Sequence, residues 1–486
     1  MLITQSSPRR GPMLALACAA QFMVILDVAI VNVALPSIQR DLHAGRDTTE
    51  WVVIAYGLLL GGFLLLGGRL VDRHGARALL VAGLSLFAVG SLAAGLSSSV
   101  GWLIIARAVQ GLGAALIPPA ALAIIASTFV DTEGRARALG LYGAVTGVSA
   151  SVGVIASGLI TDSVGWRWIF LINVPIGATL AATAARTVSR DRPAHPATGG
   201  LVGATIATGA LLTLVYALDR GAGHGWTRDS TLALLAGGFT LLVLFAAIQA
   251  RSANPLIPRA VLHDRNEVAA NIVAFFAFGS VLGFIFLGSL LMQQQLGYSP
   301  IRTGAAWLAT TAVSFLTAAT TGAALVRLVG VRALLVTGHA LMALAALWLV
   351  RIPADGHYLP DVLPALVAVG VGGGLAAPAA QIAALGAVKP EMAGIASGLL
   401  ETMREIGGSA AVAVVSTVLL SQTHVVASGS GQGHRPASAH AFHLAYVVVV
   451  TLATLGALIS ALTIRQPSPA QRPAAADPVA ASERVG

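Results

Sequence analysis

Fourteen apolar stretches of roughly 20 residues follow one another along this chain, at 13–34, 51–69, 79–97, 102–124, 137–160, 168–187, 200–217, 231–249, 268–292, 303–326, 333–350, 361–385, 394–420 and 443–464. About 20 such residues are what an α-helix needs to cross the hydrocarbon core of a bilayer. No water is present there to satisfy backbone N–H and C=O groups, so a spanning segment is a helix or a strand of a closed barrel. The barrel pattern of short segments alternating apolar and polar is absent from the sequence. The expectation is an all-α integral membrane protein with 14 transmembrane helices. Only 10% of the 486 residues are charged, well below the ~25% of soluble domains.

The charges that remain set orientation and exclude several functions. With the N-terminus inside, 19 Lys and Arg fall on the inner side and 8 on the outer side, and Arg107 and Arg404 fall within helices. This asymmetry predicts a multi-pass protein of the cell (inner) membrane with both termini cytoplasmic. The N-terminal Arg9 and Arg10 followed by an apolar run have the polarity of a signal peptide. The run is too long for one and contains Asp27 and Asn32, so it reads as the first membrane helix. The net charge of +9 comes from scattered single residues, with no basic block or interleaved aromatics. That pattern suits loops beside anionic lipid and excludes nucleic acid. The single lysine, Lys389, follows no Gly-x-x-x-x-Gly loop, which excludes a Walker A nucleotide site. The single cysteine, Cys18, permits neither a disulfide nor a cysteine-based metal site. No catalytic residue set, metal site or cofactor is expected. If the chain pumps, it draws on an ion gradient or on a partner ATPase. His424, His434, His440 and His443, in or beside a Gly/Ser-rich stretch at 421–442, read as solvated histidines of an extracytoplasmic loop.

An internal repeat divides the chain. The stretch Gly67 to Gly83 matches Gly322 to Gly338 at 10 of 17 positions, at an offset of 255 residues. The same offset carries the first apolar run onto the ninth. The division predicted is an N-terminal six-helix half at 1–190, two inserted helices with linkers at 191–265, a C-terminal six-helix half at 266–466, and a disordered cytoplasmic tail at 467–486. Halves repeated in parallel place a substrate site at their interface near the bilayer midplane, reached by rocking one half against the other.

Arg107 is the single charge of the fourth run, followed by Gln110, Gly111 and Gly113. An arginine at the centre of a membrane helix costs ~2.5–3.5 kcal/mol on insertion scales, so it needs a partner, a wet cavity or a route to the headgroups. Asp27 in the first run is the acid best placed to serve it. Its burial and the arginine oppose each other, which is how a carboxylate is tuned to load and release a proton. The rival reading is a permanent ion pair that only fixes packing. Asn32 lies five residues from Asp27 and need not share its face. In the thirteenth run Glu401, Arg404 and Glu405 adjoin on one face. Two acids around one arginine leave a spare negative charge, for a cationic substrate or a second proton, or else form a neutralised network. The loop after the second run reads Gly68-x-Leu70-x-Asp72-Arg73-x-Gly75-x-Arg77. Asp72 can pair there with Arg73, Arg77 or an arginine of another loop and latch one conformation, or these are ordinary loop charges. Arg327 replaces the acid in the second copy.

This loop resembles the signature of the major facilitator superfamily, and the helix count resembles its 14-helix drug–proton antiporter branch. Three other stretches are similar to that branch. They are Leu26-Asp27 through Asn32 to Pro36, Arg107-x-x-Gln110-Gly111-x-Gly113, and Gly165-Trp166-Arg167-Trp168 through Phe170 and Asn173 to Gly177. The fifth run departs from it: Val154 stands where the branch has a kinking proline, and Ser149 and Ser157 stand where it has glycines. Small residues, Gly143, Gly147, Ser151, Gly153, Ser157 and Gly158 among them, keep a packing face. The acids Glu401 and Glu405 are departures too, where the branch carries amides. The resemblance implies a proton-coupled exporter of amphipathic cationic or neutral small molecules. It also implies that Asp27 and Arg107 face one cavity, with Asn32 and Gln110 beside them. Coupling falls to Asp27, Arg107, Glu401, Arg404 and Glu405, and gating to Gly68, Asp72, Arg73, Gly75 and Arg77. The partners implied are substrate, protons and lipid, with a periplasmic adaptor only in a double-membrane bacterium. The alternatives are a dedicated exporter of one natural product and, more remotely, a polytopic membrane enzyme or sensor.

Overall fold

Over its described residues each of the fourteen apolar runs is largely helical in the computed structural model, which describes residues 10–189, 201–252, 254–321, 325–353, 356–386, 388–427 and 434–464. The first six spans are α1 (Arg10–Asp41), α2 (Arg46–His74), α3 (Ala76–Gly95), α4 (Val100–Thr128), α5 (Thr132–Ser163), and the pair α6 (Trp168–Leu171) and α7 (Asn173–Thr187). Next come α8 (Leu201–His224) and α9 (Asp229–Arg251). The second six spans are α11 (Arg265–Gln294), α12 (Pro300–Thr320), α14 (Val331–Leu349), α15 (Leu363–Leu385), α16 (Ala393–Ala427) and α17 (His434–Thr463), with short turns α10 (Arg259–His263) and α13 (Val326–Val329) before two of them. Ten of the described helices are long and apolar enough to cross a membrane.

Local sequence sets the helix ends. Ser99, Asp131, Asp264 and Ser299 each accept a backbone N–H of the helix they precede, which satisfies donors that have no intrahelical partner. The repeat has a backbone counterpart. Gly75 separates α2 from α3 at φ 88°, and Gly330 separates α13 from α14 at φ 81°. Only glycine adopts that region readily, so both turns carry it.

Helices α1–α7 pack mainly on one another, as do α11–α17. The two groups meet along α2 with α16 and along α5 with α12 and α15. Close crossings use small residues. A β-carbon at Gly113 would lie 2.6 Å from the Phe87 nitrogen, and one at Gly338 would lie 2.7 Å from the Gly372 oxygen. Such contacts let backbones approach where lipid offers no hydrophobic drive. The inserted α8 lies against both α2 and α16, and α9 packs on α8. The outer face of α9 exposes Phe239, Val243 and Leu244, as a lipid-facing helix should.

The structure adjusts the sequence expectation in three places. The sixth span breaks at Ile172. The twelfth span begins with a π turn at Tyr358–Val362. The stretch 421–442 is largely helix, since α16 runs to Ala427 and α17 starts at His434, with 428–433 outside the described residues. Hydropathy marks where a helix leaves lipid, and the hydrogen-bond ladder continues beyond that point.

At Gly407 a β-carbon would lie 2.2 Å from the Phe275 carbonyl oxygen, against backbone that has no room to move. Gly407→Ala should therefore destabilise the α11–α16 crossing by ~1–3 kcal/mol. Its melting temperature in detergent should fall, while Gly57→Ala, with nothing within 4 Å, should melt no lower than the natural chain.

Candidate functional site

Asp27 and Arg107 meet in the interior of the first group, 0% and 1% exposed. The Arg107 Nη1 donates to Asp27 Oδ2, and its Nε donates to the Val52 carbonyl at 3.0 Å. Gly111, one turn further along α4, lets that helix press on the Tyr56 backbone of α2. This closeness lays the guanidinium over the Tyr56 ring at 4.1 Å, a cation–π contact in a site without solvent. Gln110 accepts from Arg107 at 3.1 Å through Oε1 and donates through Nε2 to Asp27 Oδ1 at 3.4 Å and to Ser91 Oγ at 2.6 Å. Asn173, at the start of α7, donates to Asp27 Oδ1 at 3.1 Å. The carboxylate thus holds one charge-assisted bond and two amide bonds.

Gln110 therefore belongs with Asp27 and Arg107. Asn32 does not: it is exposed, and its amide donates to Val28 O of its own helix at 2.8 Å. Five residues along a helix is nearly one and a half turns, which puts it on another face. In this conformation Asp27 and Gln110 line no open space. Asn173 stood in a quoted motif without being singled out. Tyr56 and Ser91 carried no sequence signal, since a tyrosine and a serine in apolar runs look ordinary.

On α16, Arg404 Nη1 donates to Glu401 Oε1 at 2.7 Å, and the guanidinium lies 4.6 Å from the Phe278 ring centre on α11. Glu405 is half-buried and has no hydrogen bond or ion pair among the described residues. Its β-carbon lies 3.9 Å from where a side chain at Gly61 of α2 would begin, so it sits on the seam between the groups.

The loop motif forms a contact of another kind. Asp72 makes no ion pair with Arg73 or Arg77 among the described residues. Instead Oδ1 accepts from the Gly394 N–H at 2.8 Å and Oδ2 from the Ile395 N–H at 2.9 Å. These are unpaired donors in the first turn of α16, where the helix dipole is positive. The acid caps a helix of the other group. Gly68 makes this possible, because a β-carbon there would lie 2.3 Å from the Gly394 oxygen. Arg77 turns inward and donates to the Ala185 carbonyl of α7. Arg73 enters none of these contacts. Gly75 provides the turn.

Three more contacts join the groups at this end. Arg135 donates through Nε and Nη2 to Phe129 and Ala126 at the end of α4, and through Nη1 to Gly386 at 3.1 Å and to Leu385 and Val388 at 3.5 Å at the end of α15. A cation there caps the negative ends of two helices. Arg327 pairs with Glu133 at 3.2 Å, and Ser397 donates to Pro119 O at 3.3 Å. The bundle is closed at the end that carries residues 68–77.

Helix α5 is unbroken through position 154. Gly153 packs against Leu26 and Ala29 of α1, Ser157 donates to Ile30 O, Gly158 is buried, and Gly143 faces α15. The side-chain surroundings of Gly147, Ser151 and Val154 lie outside the described residues, as do those of His424 and His434. Among the described residues no cluster of His, Cys, Asp and Glu could hold a metal.

Removing one partner of a buried ion pair leaves the other charged and unpaired, at ~3–5 kcal/mol. Arg107→Leu should therefore melt well below the natural chain in detergent. The double variant Asp27→Asn with Arg107→Leu should recover part of the loss, and simple additivity of the two changes would contradict the pair.

The family model described as Major Facilitator Superfamily matches residues 17–412. The cephamycin export protein CmcT of Amycolatopsis lactamdurans is 36% identical over 427 residues, covering 87% of this chain and 86% of its own. The puromycin resistance protein pur8 of Streptomyces alboniger is 36% identical over 414 residues, covering 85% and 82%. The crystal structure of the human organic anion transporter MFSD10 (TETRAN) shares the fold at a TM-score of 0.63 with 15% identity, covering 93% of this chain and 100% of that one. The chain belongs to the Major Facilitator Superfamily, as a multi-pass membrane transporter of a small molecule and not an enzyme.

Proposed function

We propose that this transporter exports amphipathic cationic or neutral drugs in exchange for protons. In this reading residues 68–77 and both termini face the cytoplasm, as the arginine asymmetry of the loops favours. The six-helix halves, 1–190 and 266–466, rock about the seam, with 191–265 as the inserted pair and 467–486 as a cytoplasmic tail. In this reading the transporter needs no cofactor and draws on the proton gradient. An adaptor would join it only in a double-membrane bacterium.

The observation that carries the reading is the enclosed Asp27 network. A proton arriving at Asp27 removes one charge of a pair that has no solvent to replace it. Arg107 then loses its counter-charge, and the arrangement that held α1, α2, α4 and α7 together is no longer the best one. One proton can thereby bias a two-state bundle, because its affinity differs between the states. Glu405 supports a second part. Arg404 is committed to Glu401, so the seam keeps one acid for a cationic substrate or a second proton. Asp72 and Arg135 serve as the cytoplasmic latch. Each helix-end contact is worth ~0.3–2 kcal/mol, weak enough to release in each cycle.

A second reading has its own support. Two relatives are named for single antibiotics, cephamycin and puromycin, which fits a dedicated exporter of one natural product.

Efflux of ethidium and of puromycin from cells expressing the protein tests both readings. Proton-coupled drug export predicts that efflux collapses with a protonophore and falls at least tenfold, about 1.4 kcal/mol, in Asp27→Asn. Gradient-driven efflux that survives Asp27→Asn and fails in Glu405→Gln would move coupling to α16. Efflux of one compound alone, from a wide panel, would favour the dedicated exporter.

A further inference from the structure

Gln381 of α15 is 1% exposed, and neither its Oε1 nor its Nε2 has a hydrogen-bond partner among the described residues. A carboxamide brings two donors and two acceptor lone pairs, and buried ones are nearly always paired. Packing accounts for the position and not for the amide. Pro378 and Gln381 press together on α5 at Gly143, where a β-carbon would lie 3.2 Å from Pro378 Cγ and 3.5 Å from Gln381 Oε1. Glycine leaves room for that contact. Methionine would fill the same volume without any unmet hydrogen-bonding group. Elsewhere on α5 a buried amide is met: Gln21 of α1 accepts from the Tyr142 hydroxyl at 2.7 Å.

Gln381 lies one turn before Leu385 and Gly386, whose carbonyls take the Arg135 guanidinium when the cytoplasmic end is closed. Closure therefore seals the α5–α15 seam over the amide. Opening that end parts Gly143 from Pro378 and uncovers it. The group is neutral, and Arg135, whose acceptors lie one turn further along α15, spends its donors on backbone carbonyls. Arg135 is therefore already committed and not free to serve as an anion's counter-charge. A neutral group with adjoining donor and acceptor, a carboxamide or lactam, would satisfy both ends of Gln381 at once.

We propose that Gln381 binds an amide of the exported molecule when the cytoplasmic end is open, and gives it up when α5 closes onto α15. This rests on the exporter reading. It supplies that reading with a difference in substrate affinity between the two states, which any transport cycle requires. Gln381 is a specificity residue on the cytoplasm-facing part of the seam, separate from the Asp27 network.

The test uses the purified full-length protein and cells expressing it. Puromycin carries an amide linking its amino acid to its sugar, and puromycin aminonucleoside lacks it. Binding is read by tryptophan fluorescence, transport by efflux, and stability by melting in detergent, for the natural chain, Gln381→Met and Gln381→Leu. The expected result is a loss of about tenfold in puromycin binding in both variants, with the aminonucleoside and ethidium changed less than twofold. Both variants should melt no lower than the natural chain, since an unpaired buried amide has been removed. Equal loss for all three compounds, no loss for puromycin, or a lower melting temperature would each overturn the assignment and make Gln381 a packing or water-binding residue. Natural protein that exports ethidium and binds no puromycin would also overturn it while leaving the exporter reading intact. Failure to export either compound would instead remove the exporter reading, and the assignment with it.

Discussion

The α1–α7 group of this transporter is arranged around a fully buried ion pair. Burying a carboxylate and a guanidinium together gains their attraction at low dielectric and loses the hydration of both, so the net contribution to stability is small or negative. What the pair contributes is dependence: each residue is costly without the other. Four helices end up committed to one point, because Asp27 comes from α1, Arg107 and Gln110 from α4, Asn173 from α7, and Tyr56 and Val52 from α2. A site of this kind adds little net stability, yet removing one charge alters the contacts of all four helices at once.

The contacts that close the bundle have the opposite character. Asp72 on the first turn of α16 and Arg135 on the last turns of α4 and α15 pair a full charge with the partial charge of a helix end. Such contacts leave no stranded ion when they part, because water can reach both sides at the end of the bundle. They are strong enough in sum to favour closure and cheap enough singly to break. Close glycine crossings, Gly68 on Gly394 and Gly398 on the Leu64 carbonyl, let the charges reach the helix ends. Leu or Val at those positions would hold the backbones apart and silence the acid.

Much of this was legible in the sequence, and the limits have a physical cause. Apolar run length revealed each helix, because the bilayer imposes one length on all of them. Asp27, Arg107 and Gln110 stood out because charge in lipid is expensive and demands a reason. The partner of Asp72 did not, because a backbone N–H has no letter in a sequence; every segment carries it, and only the fold shows which donors are left over. Arg135 escaped for the same reason, since its acceptors are carbonyls. Glu401 and Glu405 looked alike along α16, and only the structure shows that Arg404 turns to Glu401, leaving Glu405 without a hydrogen bond or ion pair among the described residues.

The inserted helices follow the same logic at the bundle's flank. Helix α8 touches α2 of one group and α16 of the other, so it lies over the seam between them. Leu212 fills the notch above Gly62, Tyr216 stacks near Trp51 at 5.6 Å, and Trp226 donates to Thr417 of α16 at 2.6 Å. Two of these contacts hold α8 to the first half through apolar and aromatic surface, which tolerates sliding. The third joins the hairpin to α16 by a hydrogen bond, beside an apolar cluster in which Ala204 and Ala207 of α8 meet Ile395 of α16. In lipid that bond is worth no more than ~1–2 kcal/mol. The hairpin therefore covers the seam through apolar contact with α2 on one side and α16 on the other, with a single weak polar tie.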